Sequence, residues 1–385
     1  MEISATLRIK RNHDARIRAG MPWIFSNEIE NFSEIKKLEK GALVKVQMKE
    51  DFALAYFNPH SLISARILTY NLDEKINCDF FKKRILQAKN LREKFFNKPF
   101  YRLIHAEADF LPGLIIDRFN NYFSVQISTA GMENLAPTLI QALQEIFPNC
   151  AVIFRNDVDV RKLEGLENYT KIICGEIPDE IEIIENDISY RTDIKSGQKT
   201  GWFFDQRANR DFIAKISKDS DVLDAFCYLG GFGMNALKGG ANSVIFVDSS
   251  ESAIAKINKR NLENANAICE KVFDFLENNQ KKFDVVLLDP PAFIKNKKDF
   301  HSGIKGYEKL IKLGAKSVKK GGILMISSCS HHASKQDLLD AANNAFRKHN
   351  HQAKLIRSFG AGFDHPLHPA LKESEYLKSL TFIVE

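Results

Sequence analysis

The second half of the chain alternates short apolar strands with amphipathic helices, and this pattern restricts the possible folds more than any other. Strands are indicated by the segments VLDAF, SVIFVD, FDVVLLD and GILMISS, and helices by SAIAKINKRNLENA and YEKLIKLGAKSVKK. One face of the second helix carries Tyr307, Leu310, Ile311, Gly314 and Val318. Continuous apolar strands alternating with helices are typical of a parallel, doubly wound sheet. We therefore predict an α/β Rossmann-like domain from about residue 186.

Four chemically capable side chains stand at or near the carboxyl ends of these predicted strands. They are Asp224, Asp248, Asp289 and Cys329. Doubly wound sheets bind their ligands beyond the carboxyl ends of the strands. We therefore expect these four residues along one edge of the sheet, where they form a candidate site.

A glycine-rich turn, YLGGFG, follows the first of these strands. Gly230, Gly231 and Gly233 allow the backbone to approach a ligand closely. The next strand ends at Asp248, whose carboxylate can accept both hydroxyls of a ribose. An alternative is that Asp248 supports a helix N-cap at Ser249 or Ser250. The glycine spacing differs from G-x-G-x-x-G, so a dinucleotide cofactor is not favoured.

The segment LLDPPAF distinguishes between nucleoside cofactors. Pro290 and Pro291 end the strand, because proline cannot donate to a strand ladder, and they form a rigid turn that can hold a flat base. Acid-Pro-Pro after a glycine loop and a ribose acid resembles the class I S-adenosylmethionine-dependent methyltransferases. Upstream, GQKTGWFFDQRANR is dense in polar groups between aromatic residues, and Phe203, Phe204 and Arg207 are expected to cover the cofactor.

The first half of the chain shows different patterns. Short alternating segments up to about residue 75 predict a small all-β module. A helix follows in CDFFKKRILQAKNLREKFF, with its apolar face predicted at Phe80, Ile85, Leu91 and Phe95. GLIIDRFNNYFSVQIS predicts a hairpin, MENLAPTLIQALQEIF a helix and residues 152–154 a returning strand, so residues 76–185 are predicted to form an α+β domain. The acidic run EIPDEIEIIEND indicates a boundary or exposed strands.

Motifs along almost the whole chain resemble, in collinear order, the RlmI-like family of PUA-domain methyltransferases that modify cytosine C5 in large-subunit ribosomal RNA. They are GMPWIFSNEI, FNPHSLISARIL, EADFLPGLIIDRF, GQKTGWFFDQRANR, DAFCYLGGFG, LDPPAF, SSCS and FDHPLHPALKESEYLK. The resemblance implies a multidomain chain: a β-barrel-like PUA RNA-binding module at 1–75, a central α+β (EEHEE-like) domain at 76–185 and a Rossmann-like catalytic domain at 186–385. It also implies S-adenosyl-L-methionine (SAM) as cofactor and 23S ribosomal RNA as partner.

The resemblance further implies roles for individual residues. Asp224 and the glycines would hold the methionine end of the cofactor, Asp248 its ribose, Asp289 the target base, and Cys329 would be the nucleophile. The cofactor-binding residues would be Phe204, Asp205, Arg207, Asp224, Cys227, Tyr228, Gly230, Gly231, Asp248, Ser249, Asp274, Asp289 and Pro290. The substrate-binding residues would be Pro291, Phe293, Lys295 and His365.

Two of these assignments carry an alternative. Where the family has an acid to meet the adenine amino group, this chain has Lys271, so Glu270, Asp274 or backbone groups would take that role. Cys227 lies inside the glycine loop, where a small buried thiol also serves packing.

A cysteine nucleophile matches the chemistry of cytosine C5. The ring is a poor nucleophile, and addition of a thiolate to C6 makes C5 enamine-like and able to accept a methyl group; thiolates are intrinsically strong nucleophiles. Cys329, between Ser328 and Ser330, is placed for this role, and the alternative is a packed thiol at the end of a strand. Candidates for the base that removes the C5 proton are His331, Asp364, His365 and Glu373.

Composition excludes several other classes. The six cysteines contain no C-x-x-C pair, so neither a zinc site nor a disulfide framework is expected, and no metal is predicted. No apolar run approaches the length of about 20 residues that spans a bilayer, and MEISATLRIK lacks the order of a secretory signal, so we expect a cytoplasmic protein away from membranes. The net charge of +6 is modest, but the basic stretches LRIKRNHDARIR and FIKNKKDFHSGIKGYEK can neutralise phosphates. A homodimer is one option for the assembly.

Other functions stay open at this stage. An N-methyltransferase acting on guanine or adenine needs no cysteine and often has an aromatic residue directly after Asp-Pro-Pro, where this chain has Ala292. A non-catalytic ribosome-assembly factor could retain the fold and the cofactor pocket. A small-molecule or protein methyltransferase would leave the β module and the basic stretches unexplained.

Overall fold

The computed structural model describes residues 2–385. The chain forms two compact units. The first consists of the chain up to Ile184, together with Arg191–Phe204 and Phe363–Ser374. The second consists of Glu185–Tyr190, Asp205–Gly362 and Glu375–Glu385.

A five-stranded sheet occupies the N-terminal part of the first unit. Its strands are β1 (Ala5–Arg8), β2 (Trp23–Ile24), β3 (Ala42–Gln47), β4 (Phe52–Phe57) and β5 (Ala65–Thr69). Their order in the sheet is β1-β3-β4-β5-β2, and α1 (Ala15–Arg18) and α2 (Phe32–Ile35) are short helices between strands. Apolar side chains such as Val44, Val46 and Phe57 form one buried cluster. The predicted small β module is confirmed.

A second five-stranded sheet in this unit has the order β10-β9-β8-β7-β6. Its strands are β6 (Phe100–His105), β7 (Leu114–Phe119), β8 (Tyr122–Ile127), β9 (Ala151–Asn156) and β10 (Tyr169–Cys174), and its helices are α3 (Cys78–Arg92), α4 (Ala130–Asn134) and α5 (Ala136–Ile146). The predicted hairpin is confirmed, with Phe119 opposite Tyr122 and Asn120 at a positive φ of 58° that asparagine tolerates. The returning strand is confirmed as β9, parallel to β8.

The predicted apolar face of α3 is wrong at its C-terminal end. Phe80 and Ile85 are buried, but Leu91 is 36% exposed, and Phe95, which lies beyond the helix, is 50% exposed. The buried position in the last turn is instead Arg92, which is 0% exposed. A charged residue at this position is invisible to a search for apolar periodicity, because it is buried through ion pairing.

A two-stranded hairpin contains the chain boundary between the units. It pairs β11 (Ile181–Glu185) with β12 (Ile188–Thr192), and its turn residues Asn186 and Asp187 both have positive φ, at 49° and 59°. Two positive φ values are the signature of a type I′ turn, which asparagine and aspartate favour. The segment EIPDEIEIIEND therefore contains a strand, but β11 buries Ile181, Ile183 and Glu185 and exposes Glu182. The domain boundary predicted here remains a prediction.

The second unit is built on a seven-stranded sheet with the order β15-β14-β13-β16-β17-β19-β18. Its strands are β13 (Asp221–Ala225), β14 (Ser243–Asp248), β15 (Ala265–Cys269), β16 (Phe283–Leu288), β17 (Val318–Ser328), β18 (Ala353–Phe359) and β19 (Lys378–Val384). Its helices are α6 (Arg207–Ile216), α7 (Gly231–Lys238), α8 (Glu251–Asn258), α9 (Val272–Asn278), α10 (Phe300–Ser317) and α11 (Lys335–Lys348). The five strands from β15 to β17 are parallel, and β19 runs antiparallel to both of its neighbours. The predicted Rossmann-like sheet is therefore confirmed.

The helix α10 covers this sheet with the face that its spacing predicts. Tyr307, Leu310, Ile311 and Gly314 are buried. Val318 was expected on the same face but is the first residue of β17, because the helix ends at Ser317. Among the described residues, 2–385, no helix is both long enough and apolar enough to cross a membrane.

Candidate active site

The carboxyl ends of four adjacent parallel strands bring together the residues expected at one edge. Asp224 is the second-last residue of β13, Asp248 ends β14, and Asp289 and Cys329 directly follow β16 and β17. These strands are neighbours in the sheet and run in the same direction. The prediction that the four residues share an edge is confirmed.

The loop after β13 has an unusual backbone. Phe226, Tyr228 and Gly230 have positive φ values of 63°, 49° and 77°. A side chain at Gly233 would place its Cβ 2.2 Å from the Phe246 ring, so only glycine allows α7 to pack this closely on the sheet. The loop thus presents backbone groups at the edge of the sheet, and its glycines are needed for both its turn and its packing.

Asp224 is a buried carboxylate with one oxygen unsatisfied. Its Oδ2 accepts a hydrogen bond from the backbone N–H of Gly233 at 2.7 Å, whereas its Oδ1 is buried and has no hydrogen-bond partner within residues 2–385. The pKa of Asp224 is raised to about 7, mainly by burial and to a lesser extent by the nearby carboxylates of Asp289 and Asp248. A buried acceptor without a partner is costly, so this oxygen is suited to receive a cationic donor.

Asp248 connects two loops at the end of β14. Its Oδ2 accepts from the backbone N–H of Tyr228 at 2.9 Å, and its Oδ1 accepts from the backbone N–H of Ser250 at 2.9 Å. Ser250 in turn caps α8 by accepting from the Ala253 N–H. Asp248 therefore also supports the N-cap of α8, as the alternative for this residue predicts. Each carboxylate oxygen has a second lone pair, which leaves acceptor capacity for a ribose.

Asp289 is oriented by a buried glutamine. The Gln206 Nε2 donates to Asp289 Oδ1 at 2.8 Å, and Gln206 Oε1 accepts from Asn209 Nδ2 at 2.7 Å. Gln206 is 2% exposed, so this amide is held in place by its neighbours. Sequence reasoning missed Gln206, although it lies inside the segment FDQRANR that drew attention.

The turn that carries Cys329 is fixed by its two flanking serines. Ser328 Oγ donates to the Tyr307 hydroxyl at 2.8 Å, and that hydroxyl is 3.0 Å from Ser330 Oγ. Ser330 Oγ also accepts from the Ile294 N–H at 3.2 Å, which links this turn to the loop after Asp-Pro-Pro. Both serines are fully buried, whereas Cys329 is half-buried. Cys329 is therefore partly accessible to solvent, while hydrogen bonds of its two neighbours hold its backbone in place.

Several predicted residues lie around this edge with partners of their own. Arg207 Nε pairs with Glu185 Oε2 at 3.2 Å, and Asp205 Oδ2 accepts from the Tyr376 hydroxyl at 2.6 Å. Cys227 is buried, and its burial raises the pKa of its thiol well above the ordinary value. Such a thiol is protonated and inert, as the packing alternative requires.

The remaining predicted residues of the second unit range from buried to exposed. Phe293 is half-buried with its ring centroid 4.7 Å from that of Tyr307, and Pro290 is buried. The exposed ones are Ser249, Asp274, Pro291 and Lys295. The Glu270 backbone N–H donates to the Asp248 carbonyl oxygen at 3.0 Å. The adenine contact remains a prediction shared by Glu270, Asp274 and the backbone.

Two predicted site residues belong to the first unit. Phe204 is 1% exposed, with its ring centroid 5.2 Å from that of Phe119. His365 is 4% exposed, and its Nδ1 is 2.9 Å from Asp364 Oδ1. Their roles at the cofactor and at the substrate remain predictions.

Of the candidates for the proton-removing base, His331 alone belongs to the second unit within residues 2–385. Its ring stacks on Tyr376 with centroids 5.4 Å apart.

Three further residues at this site were missed by sequence reasoning. The spacing of α10 predicts Tyr307 as part of a helix face only, and Tyr376 and Lys378 lie in the motif FDHPLHPALKESEYLK without an assigned role. Lys378 donates from Nζ to the Ser330 carbonyl oxygen at 2.7 Å. The motif marks the segment, but the contacts of its individual polar residues depend on distant parts of the chain.

The donor set fits SAM better than it fits a metal. The cofactor has an ammonium group and a ribose, and the site offers the unsatisfied buried oxygen of Asp224 and the carboxylate of Asp248. Within residues 2–385 no group of three or more His, Cys, Asp or Glu side chains is arranged to hold a metal ion.

Comparison with known families agrees with this architecture. The PUA-like domain family matches residues 7–70, and the S-adenosylmethionine-dependent methyltransferase family matches residues 157–351. The protein is therefore a SAM-dependent methyltransferase with an N-terminal PUA-like domain.

Curated relatives define the family more closely. "Ribosomal RNA large subunit methyltransferase I" of Aliivibrio fischeri (strain MJ11) is 37% identical over 393 residues, covering 98% of each chain. The protein of the same name from Tolumonas auensis is 37% identical over 398 residues, covering 98% of this chain and 99% of its own. The chain belongs to the ribosomal RNA large subunit methyltransferase I family.

Solved structures show the same fold at lower sequence identity. A candidate SAM-dependent methyltransferase from Streptococcus mutans has a TM-score of 0.82 at 20% identity, covering 98% of this chain and all (100%) of that one. Trm5b from Pyrococcus abyssi has a TM-score of 0.53 at 16% identity, covering 70% of this chain and 74% of its own. These likenesses support the fold and carry no residue roles.

Proposed function

We propose that the protein methylates C5 of a cytosine in large-subunit (23S) ribosomal RNA, with Cys329 as the nucleophile. The observation that carries this proposal is the half-buried Cys329 at the carboxyl end of a strand adjacent to the one that ends before Asp289. The curated relatives are named as large-subunit ribosomal RNA methyltransferases. Their name supports the class of substrate, and the site supports the type of reaction.

The cofactor-binding residues follow from the same edge. Asp224 would receive the ammonium of the methionine moiety on its unsatisfied Oδ1, and the loop containing Gly230 and Gly231 would pass close to that moiety. Asp248 would accept the ribose hydroxyls. SAM supplies an electrophilic methyl group on a sulfonium. The predicted contributions of Phe204, Asp205, Arg207, Cys227, Tyr228, Ser249, Asp274 and Pro290 belong to this proposal.

The chain activates the base by covalent addition. The Cys329 thiolate would add to C6 of cytosine, forming a C–S bond and moving the electrons of the C5–C6 double bond towards C5. C5 would then form a bond to the methyl group of SAM as the methyl–sulfur bond breaks, which leaves S-adenosylhomocysteine. Asp289, held by Gln206 at 2.8 Å, would contact the N3/N4 edge of the base and stabilise this adduct. The target cytosine must leave its stack or be presented unpaired, and Pro291, Phe293, Lys295 and His365 are proposed to receive it.

Product forms by elimination. A base removes the proton from C5, the electrons return to the ring, and the C–S bond breaks to release the thiolate. The group that takes this proton is one of His331, Asp364, His365 and Glu373. Substitution of each candidate tests its role. A variant that cannot remove the C5 proton should accumulate the methylated RNA bound covalently to Cys329.

Ribosomal RNA containing 5-fluorocytosine tests the nucleophile directly. Fluorine at C5 does not leave as a proton, so incubation with SAM should give a denaturation-stable protein–RNA adduct at Cys329, identified by mass spectrometry. Cys329→Ala should form no adduct and should lose methylation of unmodified RNA. Cys269→Ala, which removes an exposed cysteine at the end of β15, is the matched control and should retain both.

The outcomes separate the alternatives. Full methylation by Cys329→Ala would contradict the proposed chemistry and favour a base N-methyltransferase. No methyl transfer to any ribosomal RNA preparation by the unaltered protein would favour a non-catalytic assembly factor.

The remaining parts of the proposal concern organisation. We propose that the PUA-like domain binds the RNA substrate, that the domains divide at 1–75, 76–185 and 186–385, and that the protein acts in the cytoplasm. A homodimer is the assembly to be tested by light scattering.

A further inference from the structure

Lys378 is a lysine buried inside the catalytic sheet. It is the first residue of β19 and is 5% exposed. In the antiparallel pairing of β17 with β19 it stands opposite Ser328, the residue before Cys329. Lysine is almost never fully buried without a partner. Its position therefore requires an explanation.

The ammonium group reaches across the turn that carries the cysteine. Lys378 Nζ donates to the carbonyl oxygen of Ser330 at 2.7 Å, on the far side of Cys329 from Ser328. Through its strand pairing and its hydrogen bond, Lys378 thus contacts both neighbours of the thiol. One of its three ammonium protons is used in this bond, and the other two are available to an anion.

We propose that Lys378 is a positioning residue for Cys329: its buried ammonium holds the Ser328–Ser330 turn and stabilises the thiolate form of the cysteine. This inference rests on the proposed role of Cys329 as nucleophile and deepens it. A thiolate is the reactive form of cysteine, and a nearby cation favours it. Burial of Lys378 strengthens the interaction, because water screens a buried ammonium less than one at the surface.

The charged and titratable groups around Lys378 agree with a charge interaction between this lysine and Cys329. Burial lowers the pKa of Lys378, and the strongest opposing influence is the thiolate of Cys329, followed by the carboxylates of Glu375 and Asp337. Tyr307, which faces the same turn from α10, has its pKa raised by burial and stays neutral. The coupling is reciprocal, so a thiolate that keeps Lys378 charged is itself favoured by that charge.

The rate of alkylation of Cys329 by iodoacetamide, followed as a function of pH by peptide mass spectrometry, tests the proposal. In the unaltered full-length protein the apparent pKa of Cys329 should lie below the value of about 8.5 for a free cysteine. The exposed Cys269 serves as an internal reference in the same sample. This measurement needs no variant, and an apparent pKa at or above that of the free thiol would overturn the proposal.

Three variants separate the charge of Lys378 from its packing. Lys378→Gln keeps a hydrogen-bond donor for Ser330 but removes the charge, and should raise the apparent pKa of Cys329 by one unit or more, which is about a tenfold loss of alkylation rate at neutral pH. Lys378→Arg should retain the profile of the unaltered protein. Lys354→Met, which alters an exposed lysine on β18 paired with Glu385, is the control and should change nothing.

An unchanged profile in folded Lys378→Gln, or a profile of Lys378→Arg that matches the Gln variant, would overturn the role of the charge. Circular dichroism verifies that each variant is folded. Failure of the proposed function would look different, because Cys329→Ala would then methylate RNA normally while the alkylation profiles remained as expected.

Discussion

Asp224→Asn should change how the stability of the protein depends on pH. The carboxylate is 1% exposed, and its pKa is raised from 3.8 to about 7 by burial and by two neighbouring carboxylates. Between these two values the folded state holds a proton that the unfolded state has released. Stability therefore falls as pH rises through this window, and is lowest once Asp224 is ionised above about pH 7.

The size of this stability change follows from the size of the pKa shift of Asp224. One pKa unit corresponds to about 1.4 kcal/mol, so ionising the buried carboxylate costs about 4 kcal/mol in total, of which about 2.5 kcal/mol develops between about pH 5 and about pH 8. Asparagine remains neutral, and its side-chain oxygen can still accept from the Gly233 N–H. In the absence of cofactor, the free energy of unfolding of the variant, relative to that of the unaltered protein, should therefore rise by about 2.5 kcal/mol from about pH 5 to about pH 8.

Urea unfolding at a series of pH values measures this difference. Circular dichroism is the appropriate signal, because both tryptophans, Trp23 and Trp202, lie in the first unit. Asp221→Asn is the matched control on the same strand. The pKa of Asp221 is lowered by hydrogen bonds from Ser243 and Lys319, so its contribution is lost only as pH falls below the ordinary value of 3.8. A difference between Asp224→Asn and unaltered protein that stays constant with pH would refute the reasoning.

Two other substitutions test the structure around and away from the site. Tyr307→Phe removes the hydroxyl that holds both serines around the nucleophile, and should lower the free energy of unfolding by about 1–3 kcal/mol and slow single-turnover methylation; unchanged stability and rate would contradict this. Arg92→Leu in the first unit leaves the buried carboxylate of Asp109 without its bidentate partner at 2.7 and 2.6 Å, and should cost about 3–5 kcal/mol in urea unfolding. A loss below about 1 kcal/mol would show that the pair is no better than a surface ion pair.

Local pattern was sufficient to predict the edge of the catalytic sheet. Alternating strands and helices imply parallel strands joined by crossovers, and such strands end on the same side of the sheet. The residues at those ends, Asp224, Asp248, Asp289 and Cys329, could therefore be placed together without coordinates. Family resemblance then supplied roles that the pattern alone does not contain.

Helix ends and faces were less predictable. Leu91 and Val318 continue the apolar spacing of their helices, yet one is partly exposed and the other begins a strand. Pro137 lies in the first turn of α5, and the continuous helix predicted in MENLAPTLIQALQEIF is divided into α4 and α5 at Leu135. Periodicity reports which residues are apolar, but the neighbours that cover them decide where a helix stops.

The order of residues along the chain dictated which strands exist and which of their ends carry acids and the thiol, since these depend on spacings of a few residues. The partners that orient those groups come from distant segments. Gln206 reaches Asp289, and β19 lies between β17 and β18, which brings Lys378 beside the nucleophile. Contacts of this kind arise when the sheet assembles and apolar burial fixes the strand order, so no short pattern encodes them.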